Sequence, residues 1–311
     1  MKILITGACG HIGSYLSENV YKIKNVSKTI LIDNLKSNRF DSLFNSKKKN
    51  NLSFFNKDLN DFKSLDEFND IDLIIHCASM TNAEKSFGKE KEMYKNNINC
   101  MNTVIKYCSE NNTKLVHLSS TSVYGKQTKL VDETCEKKFL KPQSPYAKIK
   151  IIEENLLKKN KNKIKYNTYR FGTISGVSKG IRFHTAVNKF CLNASLNSKI
   201  HVYKTALHQF RPYLSVTDSF QAFKFTIEKN FFQNDIFNVL TGNYTVNQIL
   251  KKIRKFKKKI SIDYVNAPIM NQLSYHVDDK KIKNNGFKIK GSIEKDIKDT
   301  LKLLQNLKYE L

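Results

Sequence analysis

The sequence predicts an α/β fold: an open, doubly wound parallel sheet followed by a smaller C-terminal α/β lobe. Short apolar runs alternate with amphipathic stretches through the first half, a glycine-rich turn joins the first run to the first amphipathic stretch, and the alternation loosens after Tyr169. The 311-residue length exceeds the roughly 250–300 residues at which one core stops growing. Two lobes sharing a cleft are therefore expected, residues 1–170 and residues 171–311.

The predicted strands of the first half are Ile3–Ile5, Ile30–Ile32, Leu52–Phe55, Leu73–Ile75 and Leu115–Leu118, all apolar enough to be buried on both faces. Between and after them, Ile12–Ile23, Lys91–Asn111 and Tyr146–Lys158 carry helical periodicity. Beyond Tyr169 come loops with Gly172, Gly176 and Gly180, a helix over Thr185–Leu196, and a strand at Ile200–Tyr203. Ile236–Val239 reads as a return strand that rejoins the first sheet, followed by a helix over Val246–Phe256.

Composition narrows the function. Hydrophobic residues at 40% and charged residues at 26% describe a globular protein with a real core. No stretch nears the roughly 20 apolar residues of a membrane span, and Met1–Gly7 runs directly into a strand pattern, so no membrane partner and a cytoplasmic location are expected. The six cysteines are scattered without CxxC pairing, which suits reduced thiols; neither disulfides nor a metal site is expected. A net charge of +26 suggests nucleic acid, yet only five of the 54 basic residues are arginine, the better fork for phosphates and bases. Lysines spread along the whole chain read as solvated faces, and nucleic acid is not an expected partner.

Thr6-Gly7-Ala8-Cys9-Gly10-His11-Ile12-Gly13 follows a predicted strand and opens a predicted helix. In that context Gly7 permits a tight turn, Gly10 lets backbone approach a pyrophosphate, and Gly13 allows close helix packing, the dinucleotide-binding arrangement of a Rossmann fold. Asp33 ends the second apolar run, about 20 residues on, where a carboxylate meets adenosine ribose hydroxyls and disfavours a 2′-phosphate. NAD is thus the expected cofactor, with Lys36 and Arg39 near enough in sequence to keep NADP open. Asp58, after the third strand, suits either the adenine edge or a cap.

Tyr146 and Lys150 stand four residues apart at the start of a helix that Pro145 can initiate, on one face. A nearby ammonium stabilises phenolate, so Tyr146 is expected to work as a general base with its pKa drawn down from about 10. Ser119 and Ser120 end the fifth strand, bringing hydroxyls to the edge where open α/β sheets hold ligands.

Together these motifs resemble the extended short-chain dehydrogenases/reductases, in the branch of NAD-dependent nucleotide-sugar epimerases and dehydratases. The resemblance runs nearly end to end: TGxxGxxG at Thr6–Gly13, Asp33-Asn34-Leu35, His76-Cys77-Ala78-Ser79, the Ser-Ser-x-x-Val-Tyr-Gly at Ser119–Gly125, YxxxK, Arg211-Pro212-Tyr213-Leu214 and Val277-Asp278. It implies that Ser120 hydrogen-bonds the reacting hydroxyl, Tyr146 exchanges its proton, and Lys150 binds the nicotinamide ribose. Cofactor contacts are implied for Gly7, Gly10, His11, Ile12, Gly13, Asp33, Asn34, Asp58, Leu59, Cys77, Ala78, Ser79, Asn97, Tyr146 and Lys150. Asn97 matches the family's NVxGT asparagine, although Cys100 and Met101 replace the Gly and Thr. Substrate contacts are implied for Thr81, Ser120, Thr121, Thr173, Asn188 and Arg211, the last as the arginine that grips a nucleotide diphosphate. A homodimer formed through the Tyr146 helix and a place in carbohydrate metabolism, including polysaccharide biosynthesis, are further implications.

Two departures bear on the reaction. Sugar 4,6-dehydratases of this family follow the catalytic hydroxyl residue with Asp-Glu, where this chain has Thr121-Ser122; dehydration is disfavoured. Thr173 and Thr81 stand where UDP-galactose 4-epimerases carry asparagine and lysine, which leaves the sugar and base open. The expected activity is an epimerase acting on a nucleotide-diphosphate sugar at C4 through a transient ketone. The alternatives are an NAD(P)H-dependent 4-ketoreductase and, in a different class, a dinucleotide-sensing scaffold without turnover.

Overall fold

The computed structural model describes residues 1–48, 51–81, 87–127, 129–266 and 275–305. The first part of the chain forms β1 (Lys2–Thr6), α1 (His11–Asn19), β2 (Lys28–Asp33), β3 (Leu52–Asn56), β4 (Leu73–His76), α2 (Glu90–Glu110), β5 (Lys114–Ser120), β6 (Leu130–Val131), α3 (Pro145–Lys159) and β7 (Tyr166–Phe171). There follow β8 (Thr173–Ser175), α4 (Ala186–Ser195), β9 (Ile200–Tyr203), β10 (Phe210–Ser215), α5 (Val216–Glu228), β11 (Asp235–Val239) and β12 (Gly242–Thr245). The chain continues through α6 (Val246–Phe256), β13 (Ile262–Val265), β14 (His276–Val277), α7 (Lys280–Asn284) and α8 (Ile293–Leu303).

Seven strands build one parallel sheet in the order β3-β2-β1-β4-β5-β7-β11. Each apolar run predicted as a strand in the first half is one, lengthened by a residue or two at its ends. The runs are continuous because helices cover both faces. Ile3 and Ile5 join Leu16, Phe220 and Phe223 in one layer, whereas Leu4 joins Met101, Val104 and Leu157 in the other. The strand order reverses beside β1, where Thr6 lies opposite His76, and this opens a crevice at the carboxyl ends of β1 and β4. β11 adds beside β7 with Ile236 opposite Thr168, so the chain returns to the sheet at the expected position.

Helix α1 is shorter than its apolar pattern. The Asn19 side-chain Nδ2 donates back to the Tyr15 carbonyl at 2.8 Å, and Val20–Lys22 tighten into a 3-10 turn. In the second lobe, β8-β10-β12 form a small sheet and β9-β13 a parallel pair, packed with α4, α6 and α8 around Val187, Cys191, Ile200, Ile249, Ile253 and Ile297. Among the described residues, no helix is long and apolar enough to cross a membrane, and all six cysteines are free thiols.

Asp296 fastens α8 to this lobe by accepting hydrogen bonds from Ser175 at 2.7 Å and Ser215 at 2.9 Å. Burial pushes its carboxyl up to about 7, against both serine bonds and with help from Asp218 and Asp299. A carboxyl whose folded pKa is raised stabilises the protein fully below its unfolded value and loses that contribution as pH climbs through the folded one. Asp296→Asn, an isostere of the neutral acid, should therefore raise Tm at about pH 8 by at least ~2–4 °C, the equivalent of one kcal/mol in a large domain. Thermal scans should show the gap narrowing towards pH 4.

Candidate active site

Gly7 leaves β1 at φ +62°, the left-handed region that glycine enters without strain. A Cβ on Gly7 would lie 2.6 Å from the Ala78 nitrogen, and one on Gly13 would lie 2.3 Å from the Gly7 carbonyl oxygen. Packing alone demands both. Gly10 is different: its Cβ would meet the Gly7 oxygen at 3.1 Å and, beyond that, only the Arg182 guanidinium at 3.7 Å. It also opens α1 without a side-chain cap, as α2, α4 and α7 open, whereas Ser144, Ser215, Thr245 and Ser292 cap α3, α5, α6 and α8. Uncapped first-turn amides beside so small a residue fit a pyrophosphate.

Asp33 stands next to this turn, accepting from the Cys9 amide at 3.0 Å and the Leu35 amide at 2.9 Å. Each carboxylate oxygen keeps a lone pair for a ribose hydroxyl. Asn34 accepts from the Lys36 amide at 3.2 Å, and the Lys36 ammonium pairs with Asp58 at 2.7 Å. Asp58 also accepts from the Asn60 amide at 3.0 Å, so this carboxylate holds a turn and an ion pair. Burial resists its ionisation, but Lys36 and Asn60 outweigh that and hold it at about 2. Leu59, expected at the cofactor, is 3% exposed and belongs to the core.

The carboxyl end of β4 continues the crevice through Cys77, Ala78 and Ser79. Thr6 accepts from the Ala78 amide at 3.2 Å, and the Ser79 hydroxyl donates to the Met80 carbonyl at 3.3 Å. Asn97 is 1% exposed and brackets Met80, accepting from its amide at 2.8 Å and donating to its carbonyl at 3.1 Å. Its side chain shapes the loop leading to Thr81.

The second lobe reaches into the crevice. A Cβ on Gly180 would lie 2.3 Å from the Cys9 carbonyl oxygen, and the Gly180 amide donates to Ser14 at 2.9 Å. His11 is tied to the same loop, its Nε2 lying 2.8 Å from the Gly176 carbonyl; burial drives the imidazole down to about 3, so it is neutral and donates. Its side chain is thus structural, as is that of Ile12, packed against the core. Asn188, expected at the substrate, is fully buried and holds the loop by accepting from the Gly176 amide at 3.2 Å and donating to the Arg182 carbonyl at 3.0 Å.

Arg182 was not singled out by the motifs. Its guanidinium donates to the Thr81 hydroxyl, while its buried Nε has no partner among the described residues. Burial and the charge of Arg39 lower it to about 10, with Tyr146 and Asp33 opposing. It therefore sits within electrostatic reach of both the Asp33 end and the Tyr146 end of the crevice. Its scarcity is the signal that could have found it: in a chain of 49 lysines, an arginine stands where a planar fork is needed.

Tyr146 begins α3, which Pro145 opens and Ser144 caps by accepting from the Ala147 amide at 3.2 Å. The Ser120 side chain lies close enough to help lower the Tyr146 phenol, and the Lys150 ammonium lies 5.7 Å from its ring centroid. Ser122 donates to the Ser120 oxygen from its hydroxyl at 2.9 Å and from its amide at 3.2 Å, so the Ser120 hydrogen points away from Ser122. Thr121 is 2% exposed and donates to the Phe171 carbonyl at 3.2 Å. The phenol of Tyr146 also departs from expectation. Burial pushes it above its ordinary value; Lys150 and Arg182 pull it down, but Glu153 adds to the rise. Across the cleft, Thr173 opens β8 opposite Tyr213, and Arg211 on β10 lies opposite Tyr244 with its charge reaching Tyr213 and Tyr275.

Beneath Tyr146 the buried face of α3 carries Lys150, Glu153 and Glu154. Glu153 meets the Lys150 ammonium at 2.7 Å and His117 Nε2 at 2.8 Å. Glu154 accepts from Arg170 Nε at 2.9 Å and Nη2 at 2.7 Å, and from the Ser119 hydroxyl at 2.6 Å. These bonds lock α3 to β5 and β7.

Residues 3–239 match the model of the NAD dependent epimerase/dehydratase family. Among curated relatives, the human dTDP-D-glucose 4,6-dehydratase is 26% identical over 96% of this chain and 89% of its own length. A trifunctional UDP-glucose 4,6-dehydratase/UDP-4-keto-6-deoxy-D-glucose 3,5-epimerase/UDP-4-keto-L-rhamnose-reductase of Arabidopsis thaliana is 27% identical over 96% of the chain. The chain spans 46% of that relative's length, and 24% of a bifunctional GAL10 protein of Pachysolen tannophilus that is 30% identical over half of the chain. Among solved structures, a UDP-N-acetylglucosamine 4-epimerase from Methanobrevibacter ruminantium superposes with TM-score 0.84 at 24% identity, covering 97% of each chain. A UDP-glucose 4-epimerase of Thermus thermophilus in complex with NAD gives TM-score 0.81 at 20% identity, covering 98% of this chain and 99% of its own. These structural likenesses establish the fold.

Breaking the Glu154–Arg170 fork leaves a buried guanidinium without its counter-ion. Glu154→Gln should cost about 3–5 kcal/mol of stability, read as a drop in the urea midpoint at unchanged slope.

Proposed function

Because the chain belongs to the NAD-dependent epimerase/dehydratase family, we propose that it is a nucleotide-sugar epimerase inverting C4 through a transient 4-keto sugar. The observation that carries this choice within the family lies at the end of β5. The two positions after Ser120, where sugar dehydratases present an acid pair, hold hydroxyls engaged inside the protein: Thr121 on the Phe171 carbonyl and Ser122 on Ser120. Elimination of water needs an acid and a base there; inversion needs neither.

In this reading the glycine turn and Arg182 hold the NAD pyrophosphate, Asp33 the adenosine ribose, and Lys150 the nicotinamide ribose. Bound NAD supplies the hydride acceptor and then the donor, so the carbinol carbon is inverted without net redox change. Ser120 donates its hydrogen to the reacting sugar oxygen, oriented by the bonds it accepts from Ser122. Tyr146 takes the hydroxyl proton as the ketone forms and returns it when the carbinol is rebuilt. Lys150 and Arg182 offset the phenolate charge, and a bound positive nicotinamide would add to them, opposing the rise that burial imposes. Arg211 grips the diphosphate of the sugar nucleotide with its planar fork.

Three outcomes follow from these roles. Tyr146→Phe should keep NAD, measured by absorbance of the released nucleotide, yet lose turnover by roughly 10²–10⁴-fold. Arg182→Met should weaken NAD binding by about tenfold or more in calorimetry, one to two kcal/mol for a lost charge-assisted contact. NAD-loaded protein mixed with UDP-, dTDP-, GDP- and CDP-sugars should exchange one C4 epimer pair by NMR without consuming NADH. Stoichiometric NADH consumption would replace this reading with a one-way 4-ketoreductase.

A further inference from the structure

Helix α3 buries two adjacent carboxylates, and they meet different partners. Glu154 closes the fork with Arg170 that joins α3 to β7. Glu153, 1% exposed, makes its contacts towards the catalytic face instead. Its Oε2 lies 2.7 Å from the Lys150 ammonium, one helical turn back, and 2.8 Å from Nε2 of His117 on β5. A carboxylate only accepts, so His117 donates through Nε2 and turns Nδ1 towards the Thr168 hydroxyl at 3.3 Å. A single oxygen thus binds the lysine that stands beside the Tyr146 ring to a histidine on the next strand.

We propose that Glu153 is a positioning residue of the reaction: it clamps the Lys150 ammonium under Tyr146, couples it to His117, and thereby sets the pH at which Tyr146 can take a proton. Burial alone would keep the Glu153 carboxyl protonated, yet Lys150 and His117 outweigh it and hold the group at about 2, so the negative charge persists at every working pH. That charge acts on both members of the YxxxK pair. It helps keep Lys150 charged despite its burial, and it opposes the ammonium's pull on the Tyr146 phenol. Burial is the largest cause of the raised Tyr146 phenol, and among the charged groups acting on it Glu153 is the one that adds to the rise. His76 on β4 is driven neutral by burial, to about 3; the thiols of Cys77 and Cys100 are pushed up to about 12 and stay uncharged; Glu154 is matched by Arg170; and Arg182 lies on the crevice side. Lys150 therefore lends Tyr146 less than a full positive charge, and the base is tuned towards alkaline pH.

The inference rests on Tyr146 being the base of the proposed reaction, but its test reads the phenol and needs no substrate. With ¹³Cζ-labelled tyrosine, the Tyr146 resonance is assigned by its loss in Tyr146→Phe and titrated by NMR. In Glu153→Gln the midpoint should fall by about one pH unit or more, a tenfold larger phenolate fraction at a given pH below both midpoints. Glu153→Asp, which keeps the charge, should restore most of the parental midpoint. His117→Leu removes the neutralising donor and should shift the midpoint the other way. In whichever of the neutral or donor-lacking variants folds, an unchanged Tyr146 midpoint overturns the proposal. A chain that binds no NAD yet shows these shifts would refute the epimerase reading and leave the coupling standing.

Discussion

The placing of Tyr146 depends on α3 carrying three charged side chains into a dry interior. An isolated buried charge is so unfavourable that it persists only when paired and fully hydrogen-bonded. Lys150 has Glu153, Glu153 has His117 as well, and Glu154 has Arg170 and Ser119. Satisfying these pairs leaves α3 one depth and one rotation against β5 and β7. Tyr146 is placed as a result, because it sits one turn ahead of Lys150 on a helix whose start is fixed by Ser144 and Pro145.

The other half of the site is built from backbone. Gly7, Gly13 and Gly180 each stand where a Cβ would fall within 2.6 Å of a neighbouring main-chain atom. Three segments distant in sequence therefore meet as bare peptide, and the side chains that do enter the crevice come from its rim. Asn97, Asn188 and His11 serve this scaffold by binding main-chain groups of the rim loops. The division explains why residues adjacent to a ligand site in sequence need not touch the ligand.

The strands of the central sheet were legible because burial on both faces writes an unbroken apolar run, as in Ile3–Ile5 and Leu73–Ile75. Of the short strands, Ile200–Tyr203 was legible as an apolar run, but the two-residue strands were not. Pairs such as Leu130–Val131 with His276–Val277 are held by register across the chain and leave no period to read. Within the site, residues set by local rules were visible: glycines in a strand-to-helix turn, Tyr146 and Lys150 one helical turn apart. Residues whose role depends on tertiary direction were not. Thr121 and Ser122 are neighbours with similar side chains, yet one hydroxyl faces the core and the other Ser120. Glu153 and Glu154 divide in the same way, and Arg182 acquires its position only when the loop after β8 folds back across the sheet.

That fold-back has a consequence for modularity. Gly180 presses on the carbonyls of Cys9 and Gly10, while His11 and Ser14 reach out to bond the same loop. The glycine turn is finished by chain that arrives more than 160 residues later. The N-terminal half is thus no cassette that can be exchanged intact between enzymes of this architecture. A graft that brings a new C-terminal lobe must also bring a glycine in register with Cys9, or the turn it adjoins will not close.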